Sequence, residues 1–251
     1  MDGWLKEVQR RPILCIFCSS LAFRLLQTLL TSLPRPHAVR CDPWKSYKWK
    51  NLSVSLVHSL LTGTWAVLCV FQYPEMVYDL HSTFTPASYL LVIISTGYFI
   101  QDAVDIVFSG YARESWEFLF HHVLVIWTFL YAVLTRHYVA GAVVALFVEV
   151  NSIFLHARLM LKMAGVAKDS LLYTINKFIN TTTYISFRLG AQFYLTWYIL
   201  VNYSQLDHAG YFLASMMLMN IMILIYFYRL LRTDFFSKHS HSNSVRKFVQ
   251  D

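Results

Sequence analysis

The sequence predicts an all-α fold, a polytopic transmembrane helical bundle with six or seven spans. Of the 251 residues, 57% are hydrophobic and only 14% are charged, whereas a soluble domain typically carries about 25% charged residues. The apolar residues come in long runs, and a spanning helix needs roughly 20 mainly apolar residues. Each run is expected to be helical, because lipid cannot satisfy unpaired backbone N–H and C=O groups.

Seven apolar segments follow one another along the chain. They cover roughly residues 12–33, 52–73, 86–108, 118–134, 138–163, 171–201 and 209–231. Prolines mark several of their boundaries, since Pro34 follows the first segment, Pro74 ends the second and Pro86 starts the third. The sixth segment is longer than one span requires, which predicts a helix that is tilted, kinked or broken.

The first segment has two interpretations. Three basic residues precede a short apolar run that Arg24 interrupts, a pattern that resembles the start of a secretory signal sequence. No clear small-x-small cleavage site follows the run, so we favour a retained helix over a cleaved one. Retention gives seven spans and cleavage gives six.

The basic residues predict the orientation of the bundle. Thirteen Lys and Arg residues lie in loops 34–51, 109–117 and 162–170 and at the C-terminal end, against four on the other side. The positive-inside rule therefore places loop 34–51 and the C-terminus in the cytosol. Orientation and lipid headgroups account for the net charge of +7. No basic stripe interleaved with aromatic residues indicates a nucleic-acid partner.

Ionisable and polar side chains inside the apolar segments are the main functional signal. Such groups are rare in spanning helices unless they face a cavity or a partner. The candidate site residues are Asp102, Asp105, His121, His122, Glu149, Asn151, Ser152, His156 and Arg188. The competing interpretation is that they only hold the bundle together through ion pairs.

His121 and His122 are the candidate catalytic or ligand-contacting residues. Adjacent side chains point about 100° apart around a helix, so one imidazole should face a cavity while the other anchors the helix. Glu117 lies one turn earlier and is expected to hydrogen-bond His121.

The later segments carry two polar stripes at helical spacing. Glu149, Ser152 and His156 form the first, and the second comprises Asn180, Tyr184, Arg188 and Gln192. Both stripes should face other helices or a polar cavity. Buried carboxylates need partners, and Arg158 and Arg188 are the expected ones for Asp102, Asp105 and Glu149.

A neutral imidazole oriented by a carboxylate can act as general base or nucleophile, which suits acyl transfer in a lipid-facing cavity. Metal binding is the competing chemistry, but no H-x-x-x-H or H-E-x-x-H spacing is present. Cys15 and Cys18 stand inside an apolar run with no second pair. We therefore predict neither a metal nor a cofactor.

Three short motifs resemble the TLC-domain family of polytopic membrane proteins, which includes the ceramide synthases. They are Gly97-Tyr98-Phe99-Ile100-Gln101-Asp102-Ala103-Val104-Asp105, Phe120-His121-His122 and Glu149-Val150-Asn151-Ser152. The resemblance implies a TLC-type bundle over residues 47–235. Residues 1–46 then hold the first helix or signal-like sequence and the basic loop, and residues 236–251 form a cytosolic disordered tail.

One departure separates the chain from the ceramide synthases. After their paired histidines, those enzymes carry a further His-Asp and a second Asp on the next helix. Here one acidic position survives as Glu149, and Ser152 stands in place of the second Asp. The resemblance therefore implies a similar lipid-accessible cavity without implying ceramide synthesis.

Residues 49–59 and 229–235 resemble a narrower branch, that of TLC-domain-containing proteins 1 and 2, which is associated with plasma-membrane phospholipid composition and fluidity. The resemblance implies a plasma-membrane protein, with the endoplasmic reticulum as the alternative, that binds phospholipids or fatty acyl chains. Acyl-CoA is a further candidate ligand. Two other functions stay open: an acyltransferase using His121 or His122, and a non-catalytic partner of a channel or transporter.

Overall fold

The computed structural model describes the backbone of residues 2–236 and the side chains of residues 6–234. This part of the chain is helical throughout and contains no β-strand. Its α-helices are α1 (Asp2–Arg10), α2 (Pro12–Thr31), α3 (His37–Arg40), α4 (Pro43–Gln72), α5 (Glu75–Tyr78), α6 (Pro86–Phe108), α7 (Trp116–Thr135), α8 (Val139–Ala145), α9 (Val148–Met163), α10 (Leu171–Thr183), α11 (Gly190–Val201) and α12 (Ala209–Leu231). Apart from Phe236, the predicted tail lies outside the described residues.

Within the described residues, six helices are long and apolar enough to cross a membrane: α2, α4, α6, α7, the combined α8–α9 unit and α12. The predicted all-α transmembrane bundle is thereby confirmed. The remaining predicted segment, 171–201, is one continuous helical run in which a π-helix, Tyr184–Leu189, joins α10 to α11. The expected irregularity of this segment is therefore a π-helical stretch, and Arg188 lies within it.

Capping residues explain where the long helices begin. The Asp42 side chain accepts a hydrogen bond from the Lys45 backbone N–H at 3.1 Å, and Pro43 occupies the first turn. As a result, α4 starts nine residues before the apolar run that was predicted from residue 52. Thr85 and Ser88 form a reciprocal capping box at the start of α6, again with a proline in the first turn.

Two glycines permit the closest helix crossings in the bundle. A Cβ at Gly97 on α6 would lie 2.7 Å from the Ile16 carbonyl oxygen on α2. A Cβ at Gly63 on α4 would lie 2.9 Å from the Val150 nitrogen on α9. These contacts bring α2 against α6 and α4 against α9, and they bury the polar residues of α6 and α9.

We call one end of the bundle the basic end, after its charge, and the other the opposite end. The basic end carries loop 34–51 together with the connections α6–α7 and α9–α10. The opposite end carries the connections α4–α6, α7–α8 and α11–α12. Between them, apolar side chains such as Phe17, Leu68 and Trp127 are more than half exposed along the outside of the bundle, as expected of a lipid-facing surface.

Candidate functional site

His122 is held by a hydrogen-bonded chain that links three helices. Its Nε2 lies 3.2 Å from Asp102 Oδ2, and its Nδ1 lies 2.6 Å from the Phe118 carbonyl oxygen. The Asn51 side-chain amide donates to Asp102 Oδ1 from α4. His122 and Asp102 are both buried, so His122 is the imidazole that anchors α7 to α6.

Asp105 lies one helical turn beyond Asp102 and has a different partner. Arg24 Nη1 on α2 lies 2.7 Å from Asp105 Oδ1, and the same nitrogen also donates to Gln27 Oε1 at 2.6 Å. Gln101 donates to Gln27 Oε1 at 3.2 Å. The prediction that Arg158 or Arg188 would neutralise Asp105 is therefore wrong, since Arg24 from the first helix does so.

Glu149 is buried where α9 meets α4. Ser59 Oγ donates to Glu149 Oε2 at 2.6 Å, and His58 Nδ1 lies 3.8 Å from the same oxygen. His58 is fully buried and stacks on the Tyr98 ring at a centroid distance of 3.7 Å. The carboxylate thus has a hydroxyl donor and a nearby imidazole, and neither arginine forms an ion pair with it.

Arg188 holds two neighbouring side chains of α9 from the π-helix. Its Nε donates to Asn151 Oδ1 at 2.9 Å, and its Nη2 donates to Ser152 Oγ at 2.8 Å. The Asn151 amide in turn donates to the Asn180 carbonyl oxygen at 2.9 Å. The wider turn of a π-helix accompanies functional positions in many helices, and here it carries the cation of the site.

Arg158 also differs from its predicted role. Its Nη2 pairs with Asp234 Oδ1, so it ties α9 to the chain segment after α12 and touches none of the three predicted carboxylates. His156 is partly buried, and its Nδ1 is shielded from solvent and has no hydrogen-bond partner among the described residues.

His121 points in a different direction from His122, as their separation around the helix predicts. Its imidazole lines a cleft, and its Nδ1 lies 3.4 Å from the Met219 sulfur on α12. The expected hydrogen bond from Glu117 to His121 is absent. Glu117 instead binds the Arg229 guanidinium through both oxygens, at 2.9 and 3.0 Å.

The cleft is lined by polar and apolar side chains from α6, α7, α8, α9, the π-helix, α11 and α12. It contains ≈ 590 Å³ of space between atoms, its open mouth included. The polar lining residues are His121, Thr128, Glu149, Arg188, Gln192 and Ser215. Phe99, Leu124 and Met219 are among the apolar ones. Three of the predicted site residues, His121, Glu149 and Arg188, therefore meet on one surface.

An apolar cavity adjoins this cleft on the side of the opposite end of the bundle. The two spaces share Thr128, Phe129, Ala145 and Met216. The second cavity is lined further by residues such as Leu195 and Phe212 and extends to Leu80 and Tyr138. The lining thus changes from mixed polar and apolar side chains in the cleft to mainly apolar ones in the cavity.

Sequence reasoning missed a third polar stripe, which lies on α4. Asn51, Ser55, His58, Ser59 and Thr62 recur at helical spacing inside an apolar run, and Asn51 and Ser59 hydrogen-bond the carboxylates of Asp102 and Glu149. The spacing was visible in the sequence. Residues 49–59 carry the family resemblance, and their polar stripe is not among the predicted site residues.

Comparisons with known proteins agree with this architecture. The family model of the TLC domain matches residues 48–232. Human TLC domain-containing protein 1 is 44% identical over 221 residues, which cover 88% of this chain and 89% of the relative. TLC domain-containing protein 2 of Danio rerio is 44% identical over 227 residues, 90% of each chain. Human TLC domain-containing protein 2 is 34% identical over 228 residues, 90% of this chain and 85% of the relative.

Proposed function

The chain belongs to the TLC-domain family of multi-pass membrane proteins, and from this premise we propose that it binds a phospholipid or a fatty acyl chain within the bundle. Through this binding it regulates the acyl composition of plasma-membrane phospholipids and hence membrane fluidity. The observation that carries the proposal is that the polar cleft at His121 and the apolar cavity that reaches Leu80 and Tyr138 lie side by side and share four lining residues.

The polar side chains of the cleft suit the headgroup or carboxyl end of such a ligand. Arg188 supplies a guanidinium, which pairs well with carboxylate and phosphate oxygens. His121 supplies an imidazole that can donate or accept a hydrogen bond. Glu149 is already hydrogen-bonded to Ser59, so we assign it no direct contact with the ligand.

The apolar cavity suits the acyl chain. Its walls carry Phe129, Leu195, Ile199 and Phe212 and few polar groups, and burial of one methylene contributes about 0.8 kcal/mol. Thr128 lies where the two spaces join. A bulky side chain at this position should block the chain without touching the polar end.

Mass spectrometry of lipid that copurifies with the detergent-solubilised protein tests the proposal. We expect wild type to retain lipid and Thr128→Trp to lose most of it. Thr64→Trp is the matched control, because Thr64 is exposed on the outside of α4 and remote from the cleft lining. Equal retention by all three proteins would contradict a ligand in this cavity.

His121 tests the function in cells. His121→Ala should change the acyl composition of cellular phospholipids, since a lost hydrogen bond to a polar ligand group costs about 1–3 kcal/mol. Expression must be matched to that of wild type. An unchanged lipid profile would favour a non-catalytic partner of a channel or transporter, which needs no imidazole in the cleft.

Acyl transfer is the second candidate function, and the position of His121 favours it. The His121 imidazole would attack the thioester carbonyl of acyl-CoA, breaking the C–S bond and releasing CoA, and a lipid hydroxyl would then take the acyl group from the imidazole. The Arg188 guanidinium would stabilise the negative charge that develops on the carbonyl oxygen. Incubation of the purified protein with acyl-CoA distinguishes the two functions. Turnover that disappears in His121→Gln supports transfer, whereas lipid binding without turnover supports the first proposal.

A further inference from the structure

Three potential metal ligands meet at the opposite end of the bundle, away from the cleft chemistry. They come from three different connections: His81 precedes α6, His137 lies between α7 and α8, and Asp207 precedes α12. One ligand atom from each lies within 4.8 Å of the others. Among the described residues, this is the one group of three or more His, Cys, Asp or Glu side chains with that property.

We propose that His81, His137 and Asp207 bind a divalent transition-metal ion of the zinc class. His81 Nε2 lies 3.7 Å from Asp207 Oδ2, and His137 Nδ1 lies 3.5 Å from the same oxygen. Ligands about 2.1 Å from a tetrahedral zinc ion lie about 3.4 Å apart. Two of the three separations therefore lie within a few tenths of an ångström of this value, and the third, between the two imidazoles, lies within 4.8 Å.

The hydrogen bonding of His81 leaves its Nε2 available to a metal ion. Its Nδ1 lies 3.2 Å from Ser82 Oγ, which occupies that nitrogen, and its buried Nε2 has no hydrogen-bond partner among the described residues. A neutral imidazole with a free Nε2 lone pair is the form that binds metals.

The surrounding backbone holds the three ligands in place. Asp79 Oδ1 accepts hydrogen bonds from the backbone N–H groups of His81 and Ser82 at 3.1 and 2.9 Å. Tyr138 donates its backbone N–H to the His81 carbonyl oxygen at 2.8 Å and its hydroxyl to the Asp207 carbonyl oxygen at 2.6 Å. One tyrosine therefore links the connections that carry all three ligands.

The residues next to two of the proposed ligands have an unusual backbone conformation. Three non-glycine residues in the described chain have positive φ: Arg136 at 62°, Tyr138 at 63° and His208 at 54°. Each is the immediate neighbour of a ligand residue, either His137 or Asp207. Left-handed backbone is uncommon for L residues, and here it sets the direction of the neighbouring ligand side chains.

The donor set decides the class of ion. Two imidazoles and one carboxylate favour zinc and other late transition metals, whereas magnesium and calcium prefer oxygen ligands alone. The Asp207 side chain is 63% exposed and that of His137 is 45% exposed, so an ion can enter from solvent and keep a water ligand. Bound there, it would clamp the three connections at the end where the apolar cavity reaches Leu80 and Tyr138.

Calorimetric titration of the chelator-treated, full-length protein with Zn²⁺ tests the proposal. We expect one ion per chain, no binding of Mg²⁺ or Ca²⁺, and a rise in unfolding temperature on zinc addition. His137→Asn and Asp207→Asn should each lower zinc affinity at least about a hundredfold, more than the loss of a typical outer-shell partner. His208→Asn is the matched control, because asparagine tolerates positive φ, and it should bind as wild type does.

The tail histidines His239 and His241 need a separate control, since they lie outside the described residues. His239→Asn/His241→Asn should keep the stoichiometric ion. Loss of zinc binding in that variant, or unchanged binding in both His137→Asn and Asp207→Asn, would overturn the site. So would the absence of any zinc binding by the wild-type protein.

Discussion

The two ring nitrogens of His122 determine where a proton lies in the bundle. A carbonyl oxygen can only accept a hydrogen bond, so the 2.6 Å contact with Phe118 places a hydrogen on Nδ1. Nε2 then faces Asp102 Oδ2 at 3.2 Å, and a favourable contact needs one more hydrogen between them. The pair therefore shares one proton, carried either by the imidazole or by the carboxyl group.

This sharing predicts different outcomes for two substitutions of Asp102. Asp102→Asn should be tolerated, because an amide can donate to Nε2 of a neutral His122 and still accept from Asn51. Asp102→Leu should destabilise the protein by about 1–3 kcal/mol, since it leaves the partly buried amide of Asn51 and the buried Nε2 of His122 unpaired. Thermal unfolding in detergent measures both variants, and Asp102→Leu melting at the wild-type temperature would contradict the pairing.

At the residue scale, the sequence predicted directions better than partners. Because adjacent side chains point about 100° apart around a helix, His121 lines the cleft while His122 contacts Asp102. Arg24, the true partner of Asp105, belongs to a helix whose register against α6 depends on the fit of Gly97 against Ile16 and Ser19. No spacing within one segment contains that register, so the pairing could not be predicted.

At the scale of elements, the crossing of α4 and α9 depends on a residue without a side chain. A Cβ at Gly63 would lie 2.9 Å from the Val150 nitrogen and 3.0 Å from the Glu149 carbonyl carbon. Both atoms belong to helix backbone, which cannot rotate away. Gly63 therefore sets the distance at which Ser59 on α4 reaches the Glu149 carboxylate.

Gly63→Ala should force the two helices apart and destabilise the protein by about 1–3 kcal/mol. Gly190→Ala is the matched control, because a Cβ there would meet only the Ile185 carbonyl oxygen, at an ordinary 3.6 Å. Alanine is the better helix former by about 1 kcal/mol, so the control should be neutral or stabilising. Equal unfolding temperatures for the two variants would show that the α4–α9 contact accommodates a Cβ at Gly63 without loss of stability.

The elements themselves were largely predictable, and the exceptions have physical causes. Hydropathy located α6 and α12 to the residue, because the apolar run and the helix end together. The early start of α4 came from the cap at Asp42, which precedes the apolar run. The π-helix was expected only as some irregularity, since excess length cannot say which turn will widen.

At the scale of the whole molecule, the charge distribution predicts the orientation of the basic end. Loop 34–51 and the C-terminus should be cytosolic, because the two sides divide Lys and Arg thirteen to four. An antibody tag after Asp251 should be reached only after the cells are permeabilised. A tag in the connection between α4 and α6 should be reached on intact cells, and the reverse pattern would invert the bundle.

The cluster of His81, His137 and Asp207 at the opposite end of the bundle can be recognised only in the assembled fold. The three residues are far apart in sequence, and none belongs to a metal-binding spacing. They come together because α5–α6, α7–α8 and α11–α12 all connect at the same end of an up-and-down bundle. Topology alone would place the connections there, and side-chain packing brings the ligand atoms within reach.

Finally, the contacts of α2 predict that this helix stays in the mature protein. Arg24 neutralises Asp105, which is otherwise buried, and Ser19 donates to the Ile94 carbonyl oxygen at 3.0 Å. Cleavage after α2 would remove the ion-pair partner of Asp105 and uncover the face of α6 against which α2 packs. A chain tagged at both termini should therefore run as one species that carries both tags. A major species with the C-terminal tag alone, shortened by the length of residues 1–33, would show that the segment is a signal sequence.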